Sequence, residues 1–390
     1  MGEFLSYRRP QEGCTVNAQV CRVESPHVTE LYLNLRPVDP TDKPNEAAAL
    51  YGVAVDILRR HKARIFSERI FAAPGAIPAV RQARTELLGD LGDGVPATAL
   101  SVPKLDEASI AGVQIHAISG PTTPEPVCFK DEILGRRFEN AGRSWLHLSG
   151  LTALRTDTPE SQARAIYELA SDILHSLDMD FRCVARTWIW LCDILEWYDE
   201  FNAARTTVYQ RESLVDDSGR ARYLPASTGI GVAPANGGAC ALELIAVSDG
   251  DRSIRSIQSG GEQDSAFSYG SAFARAVAAP MPAGQALFIS GTAAIDAQGR
   301  SEYAGEARSQ IDATMQHVRA LLGEAGWNEN RVVSAIAYSK TPEIARLFAD
   351  EWSSLPWPRV ETVADVCRDE LLFEVEVTAA EGAEDCTTLP

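Results

Sequence analysis

The sequence ALFISGT at residues 286–292 decides the fold, because it repeats the pattern of WLHLSGL at residues 145–151. Both runs are apolar, as expected of a buried strand, and both end in Ser-Gly. Self-similarity of this kind is the sequence signature of an internally repeated architecture. The two runs therefore predict that one structural unit occurs twice in the chain.

The segments that follow the two runs support the repeat. A polar turn comes first, and then a helix begins at Ala163 in the first copy and at Ala307 in the second. Apolar residues recur at helical spacing along one face of the second helix. A strand and a short helix come next in each copy, with the strands at residues 183–193 and 332–341. The order strand, helix, strand, helix therefore occurs twice.

Further strands are predicted in the C-terminal copy at residues 239–247, 271–279, 360–367 and 371–377. In the last of these, Glu374 and Glu376 share one face, and the apolar residues that alternate with them share the other. This mixture of strands and helices predicts an α/β (α+β) fold with two domains. Each domain is expected to be a mixed sheet with helices packed on one face.

The predicted domains are residues 1–210 and residues 239–390, joined by a linker at residues 211–238 that is rich in Gly, Ser, Pro and Asp. A length of 390 residues suits two domains of ordinary size. Residues 1–100 carry few recognisable features, so their place in the first domain is the weakest part of this division.

Composition narrows the class of function. The net charge is −18, and an acidic chain repels phosphate, so nucleic acid is not an expected partner. No apolar run reaches the roughly 18 residues of a membrane span, and the N-terminus lacks the apolar core of a signal peptide. We therefore expect a cytoplasmic protein with no membrane partner. If its substrate is an anion, several arginines must converge on the site to overcome the overall charge.

The residues that usually hold metals and nucleotides are not in the required patterns. The 8 cysteines include no C-x-x-C pair, and the 6 histidines are dispersed. Neither a phosphate-binding P-loop nor a dinucleotide-binding G-x-G-x-x-G motif after a strand occurs. The sequence thus predicts chemistry without a metal or another cofactor.

Several motifs resemble the RidA/YjgF family, namely ALFISGTAAIDAQGR, VVSAIAYSK, FEVEVTAA and, in the first copy, VARTWIWLCDILEWYDEFN. The resemblance implies a chorismate-mutase-like fold and the trimers that RidA proteins form. Two RidA-like halves, with YLPASTGIG between them and DVCRDELLFEVE at the end, further resemble the chorismatases. These enzymes convert chorismate to pyruvate and either a dihydrodiol acid or a hydroxybenzoate. This resemblance covers the chain from about residue 110 onward.

The resemblance implies that Arg359 binds a substrate carboxylate and that Glu374 is the catalytic acid. Chorismate is a dianion with an enolpyruvyl ether. A guanidinium can bind a carboxylate through two parallel hydrogen bonds, and a buried carboxylic acid can protonate the methylene carbon of the ether. Glu376 shares the face of Glu374 and is the alternative acid. Without the resemblance, Glu374 would be read as an ordinary solvent-facing residue of a strand.

Cys367 corresponds to the position that separates product classes among chorismatases, and cysteine there goes with hydroxybenzoate formation. A thiol next to the ring would assist aromatisation as a nucleophile or in proton transfer. The alternative interpretation is a buried structural thiol. We therefore favour 3-hydroxybenzoate and pyruvate as the products, with Cys367 as a second catalytic residue.

The further candidates for substrate binding are Arg275, Arg205, Tyr198, Tyr223, Gly291, Thr292 and Ala272. The two arginines would supply positive charge next to Arg359. Tyr198 belongs to the WYDEFNAAR motif, and Tyr223 lies in the predicted linker, where it would act as a lid. At Gly291 a ligand can approach the backbone closely. Each of these residues also has an ordinary structural interpretation.

Three other functions stay open at this stage. The first is a dihydrodiol-forming chorismate hydrolase, which Cys367 disfavours. The second is a RidA-type imine deaminase, which needs only one domain. The third is a ligand-binding trimer without activity, which would need neither Arg359 nor Glu374. The expected partner is thus a small dianionic substrate, and the expected oligomeric state is a homotrimer or a monomer.

Overall fold

The computed structural model describes residues 5–8, 14–38, 43–154, 158–248, 253–261 and 263–383. Its strands and helices fall into three consecutive groups. The first comprises β1 (Leu5–Arg8), β2 (Thr15–Glu24), β3 (Thr29–Pro37), α1 (Lys43–Arg60), β4 (Arg64–Ala72), α2 (Ile77–Leu88), β5 (Thr98–Ser101) and β6 (Ile110–Ser119).

The second group comprises β7 (Glu125–Phe129), β8 (Glu132–Asn140), β9 (Arg143–Leu151), α3 (Pro159–Ser176), β10 (Val184–Leu191), α4 (Ile194–Arg211), β11 (Ala226–Ile230), β12 (Ala233–Pro234) and β13 (Cys240–Ser248). The third comprises β14 (Arg255–Ile257), β15 (Ala276–Met281), β16 (Gly284–Ala293), α5 (Ala307–Glu324), β17 (Val332–Ser339), α6 (Pro342–Glu351), β18 (Arg359–Val363) and β19 (Phe373–Ala380).

The strands form three sheets. The N-terminal sheet has the order β1-β2-β3-β6-β4-β5-β12, the middle sheet β11-β10-β13-β9-β8-β7, and the C-terminal sheet β14-β15-β16-β19-β17-β18. Each sheet is mixed, because β4 and β5, β10 and β11, and β17 and β18 pair in parallel while their other neighbours pair antiparallel. The predicted α/β class with mixed sheets is therefore confirmed.

The repeated unit occurs three times rather than twice. The strand order β2-β3-β6-β4-β5 of the N-terminal sheet recurs as β8-β9-β13-β10-β11 and as β15-β16-β19-β17-β18. The N-terminal copy escaped sequence analysis because its β3 reads TELYLNLRP and lacks the Ser-Gly ending of the other two. The fold thus contains three related sheets, and the prediction of two was wrong on this point.

The predicted boundaries also differ from the sheets. Strand β13 was predicted to open the C-terminal domain at residue 239, but it pairs between β9 and β10 of the middle sheet. Residues of the predicted linker form β11 and β12, and β12 extends the N-terminal sheet by pairing with β5. The reason is that the last strand of each copy inserts between earlier strands, so chain order does not show where a sheet ends.

The helices cover one face of each sheet, as predicted. In α5, the apolar residues at helical spacing, Ile311, Met315 and Val318, are fully buried. Helix α3 begins at a capping box, in which Thr158 and Ser161 exchange hydrogen bonds with each other's backbone N–H groups. Within the described ranges, no helix is both long enough and apolar enough to cross a membrane.

Buried charges lie where the three sheets meet. Arg69 of the N-terminal sheet donates to Glu243 of the middle sheet at 3.0 Å, and His147 lies 2.7 Å from the same carboxylate. Arg186 of the middle sheet donates to Glu376 of the C-terminal sheet at 2.9 Å. Both arginines also lie over the ring of Trp188. These contacts join the sheets, and removing one partner leaves a buried charge without compensation.

We predict that Arg69→Met destabilises the protein by about 3–5 kcal/mol, because it leaves the fully buried Glu243 carboxylate uncompensated. The exposed pair between Arg164 and Glu160 is the matched control, and Arg164→Met should cost less than about 1 kcal/mol. Thermal unfolding midpoints measure both effects. Equal midpoints for the two variants would show that the buried pair does not hold the sheets together.

Candidate active site

The C-terminal and middle sheets meet along β16 and β11. The N–H of Ser227 on β11 donates to Ser290 Oγ on β16 at 2.8 Å, and the N–H of Gly291 donates to Thr228 Oγ1 at 3.0 Å. Next to this contact, Glu374 of β19 lies directly against Gly291. A methyl group added at Gly291 would lie 2.0 Å from Glu374 Oε1. A side chain at this position would therefore have to displace the Glu374 carboxyl group.

The predicted alternation along β19 is confirmed. Phe373 and Val375 pack in the core between the C-terminal sheet and its helices. Glu374 and Glu376 lie on the opposite face, and each is only 5% exposed. The alternation begins at Phe373, because residues 364–372, which were predicted to be largely strand, form a turn and loop between β18 and β19.

The two glutamates have different partners. Glu376 accepts hydrogen bonds from Arg186 at 2.9 Å and from the indole N–H of Trp188 at 2.7 Å. Within the described part of the chain, the Glu374 side chain forms neither a hydrogen bond nor an ion pair. Its carboxyl group is thus free to act on another molecule, whereas that of Glu376 is held by the protein. This difference favours Glu374 over Glu376 as the acid.

The surroundings of Glu374 favour its protonated form. Burial raises its pKa to about 8, the charge of Glu376 adds to the rise, and Arg186 and Arg275 oppose it. Desolvation and a like charge both disfavour the carboxylate. At neutral pH, Glu374 is therefore mostly a carboxylic acid that can donate its proton.

Cys367 lies in the turn that follows β18, and it influences the ionisation of both Glu374 and Tyr198 electrostatically. Burial raises the pKa of its thiol to about 12, and the nearby Glu374 raises it further. The side chain is therefore a neutral thiol and not a thiolate at physiological pH. Its catalytic role with Glu374 stays a prediction.

A cleft of about 720 Å³ opens on the solvent side of Cys367. Helix α4 forms one wall with Tyr198 and Asn202, and residues 269–271 form the other. Burial raises the pKa of Tyr198, as does Cys367, so this phenol is neutral. Glu374 is not itself among the lining residues, but its charge acts on two of them, Cys367 and Tyr198, so the acid lies next to the cleft.

Two buried arginines act electrostatically on these residues, Arg205 on Tyr198 and Arg275 on Glu374 and Cys367. Arg205 of α4 donates to Asn202 Oδ1 at 2.6 Å, and its Nε has no hydrogen-bond partner. Arg275 donates to the Tyr269 hydroxyl at 2.7 Å. Their guanidinium carbons lie 5.8 and 5.7 Å from the Phe273 ring centroid. Neither arginine pairs with a carboxylate among the described residues, so both keep a full positive charge for a ligand.

Arg359 is not brought to Glu374, contrary to the prediction. It begins β18 and pairs with Ala335, whereas Glu374 pairs with Tyr338 toward the other end of β17. Its Nε donates to Glu361 at 2.8 Å, and Nη1 donates to the carbonyls of residues 355 and 357. The guanidinium is thus occupied within the protein. The strand register therefore places Arg359 and Glu374 apart, although the sequence had suggested that both belong to one site.

Three further candidates also lie outside the cleft. The Tyr223 hydroxyl donates to the carbonyl of Val184 at 2.7 Å, so this residue is anchored in the core and does not form a lid. Thr292 pairs with Val375 and so shares its helix-covered face. Ala272 is fully buried behind the cleft wall. Of the predicted substrate-binding residues, the structure therefore groups Tyr198, Arg205, Arg275 and Gly291 around Glu374.

Sequence analysis missed Arg186 and the role of Trp188. One signal was present, because the β10 sequence VARTWIWL has a single charge in an otherwise mostly apolar, buried strand. Such a charge requires a buried partner. The partner is Glu376, which lies 190 positions away in the chain, so local sequence cannot identify it.

Only one of the three sheets carries an acid at this position. In the ladder, Glu374 pairs with Tyr338, and the equivalent pairs are Trp190 with Ala241 and Phe71 with Gly112. A small residue therefore replaces the carboxyl group in the middle and N-terminal sheets. The repeated fold builds three similar interfaces, and this one alone has the acid.

Comparisons with known proteins agree with this architecture. A chorismatase crystal structure at 1.08 Å resolution covers 81% of this chain and 93% of its own, with a TM-score of 0.58 and 19% sequence identity. The YjgF-family protein NMB1025 from Neisseria meningitidis covers 33% of this chain and 94% of its own, with a TM-score of 0.25 and 20% identity. No family model and no curated protein sequence matches the chain. At such low identity, the first similarity shows a shared fold.

We predict that Glu374 makes stability fall as pH rises. The folded chain keeps the proton on Glu374 up to about pH 8, while the unfolded chain releases it near its ordinary pKa of about 4.3. Between these values the native state loses about 1.4 kcal/mol per pH unit from this group. Glu374→Gln should therefore become more stable relative to the native sequence as pH rises.

Thermal midpoints of both proteins at about pH 5 and pH 7.5 measure this difference. Glu343→Gln, at an exposed position at the start of α6, is the control and should show no such trend. A difference between native protein and Glu374→Gln that stays constant with pH would show that Glu374 ionises normally.

Proposed function

We propose that this protein is a chorismatase that releases pyruvate from chorismate and forms 3-hydroxybenzoate. The observation that carries the proposal is Glu374, a buried carboxylic acid that has no hydrogen-bond or ion-pair partner among the described residues and acts electrostatically on two residues of the cleft, Cys367 and Tyr198. A fold shared with a chorismatase structure supports the same substrate class.

The two carboxylates of chorismate need two positive groups in an acidic protein. Arg205 and Arg275 satisfy this requirement, because both are buried and neither pairs with a carboxylate of the described chain. Both guanidinium carbons lie within 5.8 Å of the Phe273 ring centroid, so the two charges are close enough to bind two anionic groups of one compact substrate. They take the role that the sequence had suggested for Arg359.

The reaction begins when Glu374 transfers its proton to the methylene carbon of the enolpyruvyl group. The electrons of the carbon–carbon double bond form the new C–H bond, and the ether oxygen stabilises the resulting cation. Glu374 becomes a carboxylate, and Arg186 and Arg275 compensate part of its new charge. General acid catalysis of this kind contributes roughly 10²–10⁴-fold to the rate.

An oxygen nucleophile then adds to the cation. Addition of water, with return of its proton to Glu374, gives a hemiketal that collapses to pyruvate and a dihydrodiol acid. For 3-hydroxybenzoate, the ring hydroxyl adds instead and gives a cyclic ketal. Loss of the hydrogen on the ring carbon that bears the ether oxygen, with cleavage of the bond between the ring and the former hydroxyl oxygen, aromatises the ring, and the resulting hemiketal collapses to pyruvate and 3-hydroxybenzoate without net consumption of water. The neutral thiol of Cys367, next to Glu374, is suited to proton transfer in this second branch.

We predict that the purified protein, without added metal or nucleotide, converts chorismate to pyruvate and 3-hydroxybenzoate. Glu374→Gln should lower turnover at least about 10²-fold, because the amide cannot supply the proton. Liquid chromatography with mass detection identifies the products. Glu343→Gln is the control and should retain activity. Failure of the native protein to consume chorismate would contradict the proposed function.

A second prediction concerns the product. Cys367→Ala should still release pyruvate, because Glu374 is intact, but the ring product should shift toward the non-aromatic diol. The ratio of diol to 3-hydroxybenzoate measures the effect. An unchanged ratio would remove Cys367 from the aromatising step, and a diol from the native protein would favour the hydrolase alternative.

A further inference from the structure

The face of β19 that points between the sheets presents two carboxyl groups, Glu374 and Glu376, separated by one residue. Both are 5% exposed, so solvent screens their interaction little. Two carboxyl groups this close in a buried site resist ionising together, and one of them tends to keep its proton. The partners of each group decide which one does so.

Glu376 has the partners that stabilise a carboxylate. Arg186 donates to one of its oxygens at 2.9 Å, and the Trp188 indole N–H donates to the other at 2.7 Å. Arg186 is itself held in place, because it also donates to Thr228 Oγ1 and lies over the Trp188 ring. All of these donors come from the middle sheet, so the ion pair is part of the packing between the sheets.

We propose that Glu376, held in place by Arg186 and Trp188, acts through its neighbour on β19 and favours the protonated form of Glu374. Glu376 is then a positioning residue, because it acts through Glu374 and does not contact the substrate. The inference depends on the proposed function only in that Glu374 is the acid whose protonation matters.

The other groups around Glu374 do not replace this effect. Arg186 and Arg275 both favour the carboxylate of Glu374 and so oppose the rise in its pKa. Cys367 of the turn, Tyr198 of α4 and Tyr338 of β17 are also close enough to interact with it, and burial raises the pKa of all three, so they are neutral. Burial makes the largest contribution to the raised pKa of Glu374, and Glu376 is the negative charge that adds to it against the two positive ones.

The direction of the expected effect follows from these charges. Glu376→Gln removes the like charge and leaves Arg186 without its carboxylate, so the pKa of Glu374 should fall by ~1–3 units. The acid must be protonated to react, so activity is lost as pH rises through this pKa. The alkaline limb of the kcat/KM profile should therefore move to lower pH by the same amount, while the rate at low pH changes little.

The decisive experiment compares three variants with the native protein. Glu376→Gln is the test, and the double variant Arg186→Gln/Glu376→Gln removes both charges, so its limb should return toward the native position. Glu243→Gln is the matched control, because Glu243 is likewise buried and paired with an arginine, Arg69, but belongs to another interface. It should cost stability without moving the limb.

A second readout does not depend on chorismate. The infrared band of the protonated carboxyl group, taken as the difference from a matched variant with Glu374→Gln, reports the pKa of Glu374 directly. We expect this band to disappear at lower pH in Glu376→Gln than in the native protein. If the chain does not turn over chorismate, this shift still tests the inference separately from the proposed function.

An unshifted band and an unshifted limb in Glu376→Gln would overturn the inference and leave Glu376 a purely structural residue. A shift of the same size in Glu243→Gln would also overturn the inference, because it would then result from general destabilisation of the protein and not from loss of the charge next to Glu374. If Glu376→Gln does not fold, the double variant Arg186→Gln/Glu376→Gln is the test. An alkaline limb of its kcat/KM profile far below the native pH would contradict the inference that the two charges cancel.

Discussion

The structure depends on charges buried where three sheets meet. The guanidinium groups of Arg69 and Arg186 both lie over the Trp188 ring, at 3.7 and 4.6 Å from its centroid, and each arginine binds a carboxylate. Charges without solvent require compensation, so each arginine must find its glutamate across a sheet boundary. This requirement fixes the relative placement of the sheets more specifically than apolar packing does, because ion pairs depend on direction and distance.

The candidate site is a consequence of that placement. The contact of β11 with β16 brings Thr228 to Gly291, and the absence of a side chain at Gly291 leaves room for Glu374. The interface of the N-terminal and middle sheets is built in a similar way, but Ala241 stands there at the position of the acid. A repeated fold therefore makes several similar clefts, and a single residue determines which of them has a proton to donate.

Electrostatics also explains how an acidic protein could receive an anion. The net charge of −18 repels anionic ligands at long range, but salt screens this repulsion beyond about 10 Å. The guanidinium groups of Arg205 and Arg275 are buried, and neither pairs with a carboxylate among the described residues, so they act at short range and are screened less. Arg275, together with Arg186, also lowers the cost of ionising Glu374.

The sequence by itself determined the α/β class and the alternation of Glu374 with Phe373, because periodicity is a local property, whereas the roles of Glu374 and Cys367 were implied by the resemblance to chorismatases. The tertiary structure alone decided the number of copies, the place of β13 in the middle sheet, the absence of Arg359 from the site and the union of Arg186 with Glu376. All four features depend on strand register or on partners that are far apart in the chain. Arg186 and Glu376, for example, are separated by 190 residues. A pattern in sequence shows which residues need burial or a counter-charge, and only the packed sheets determine which partner supplies it.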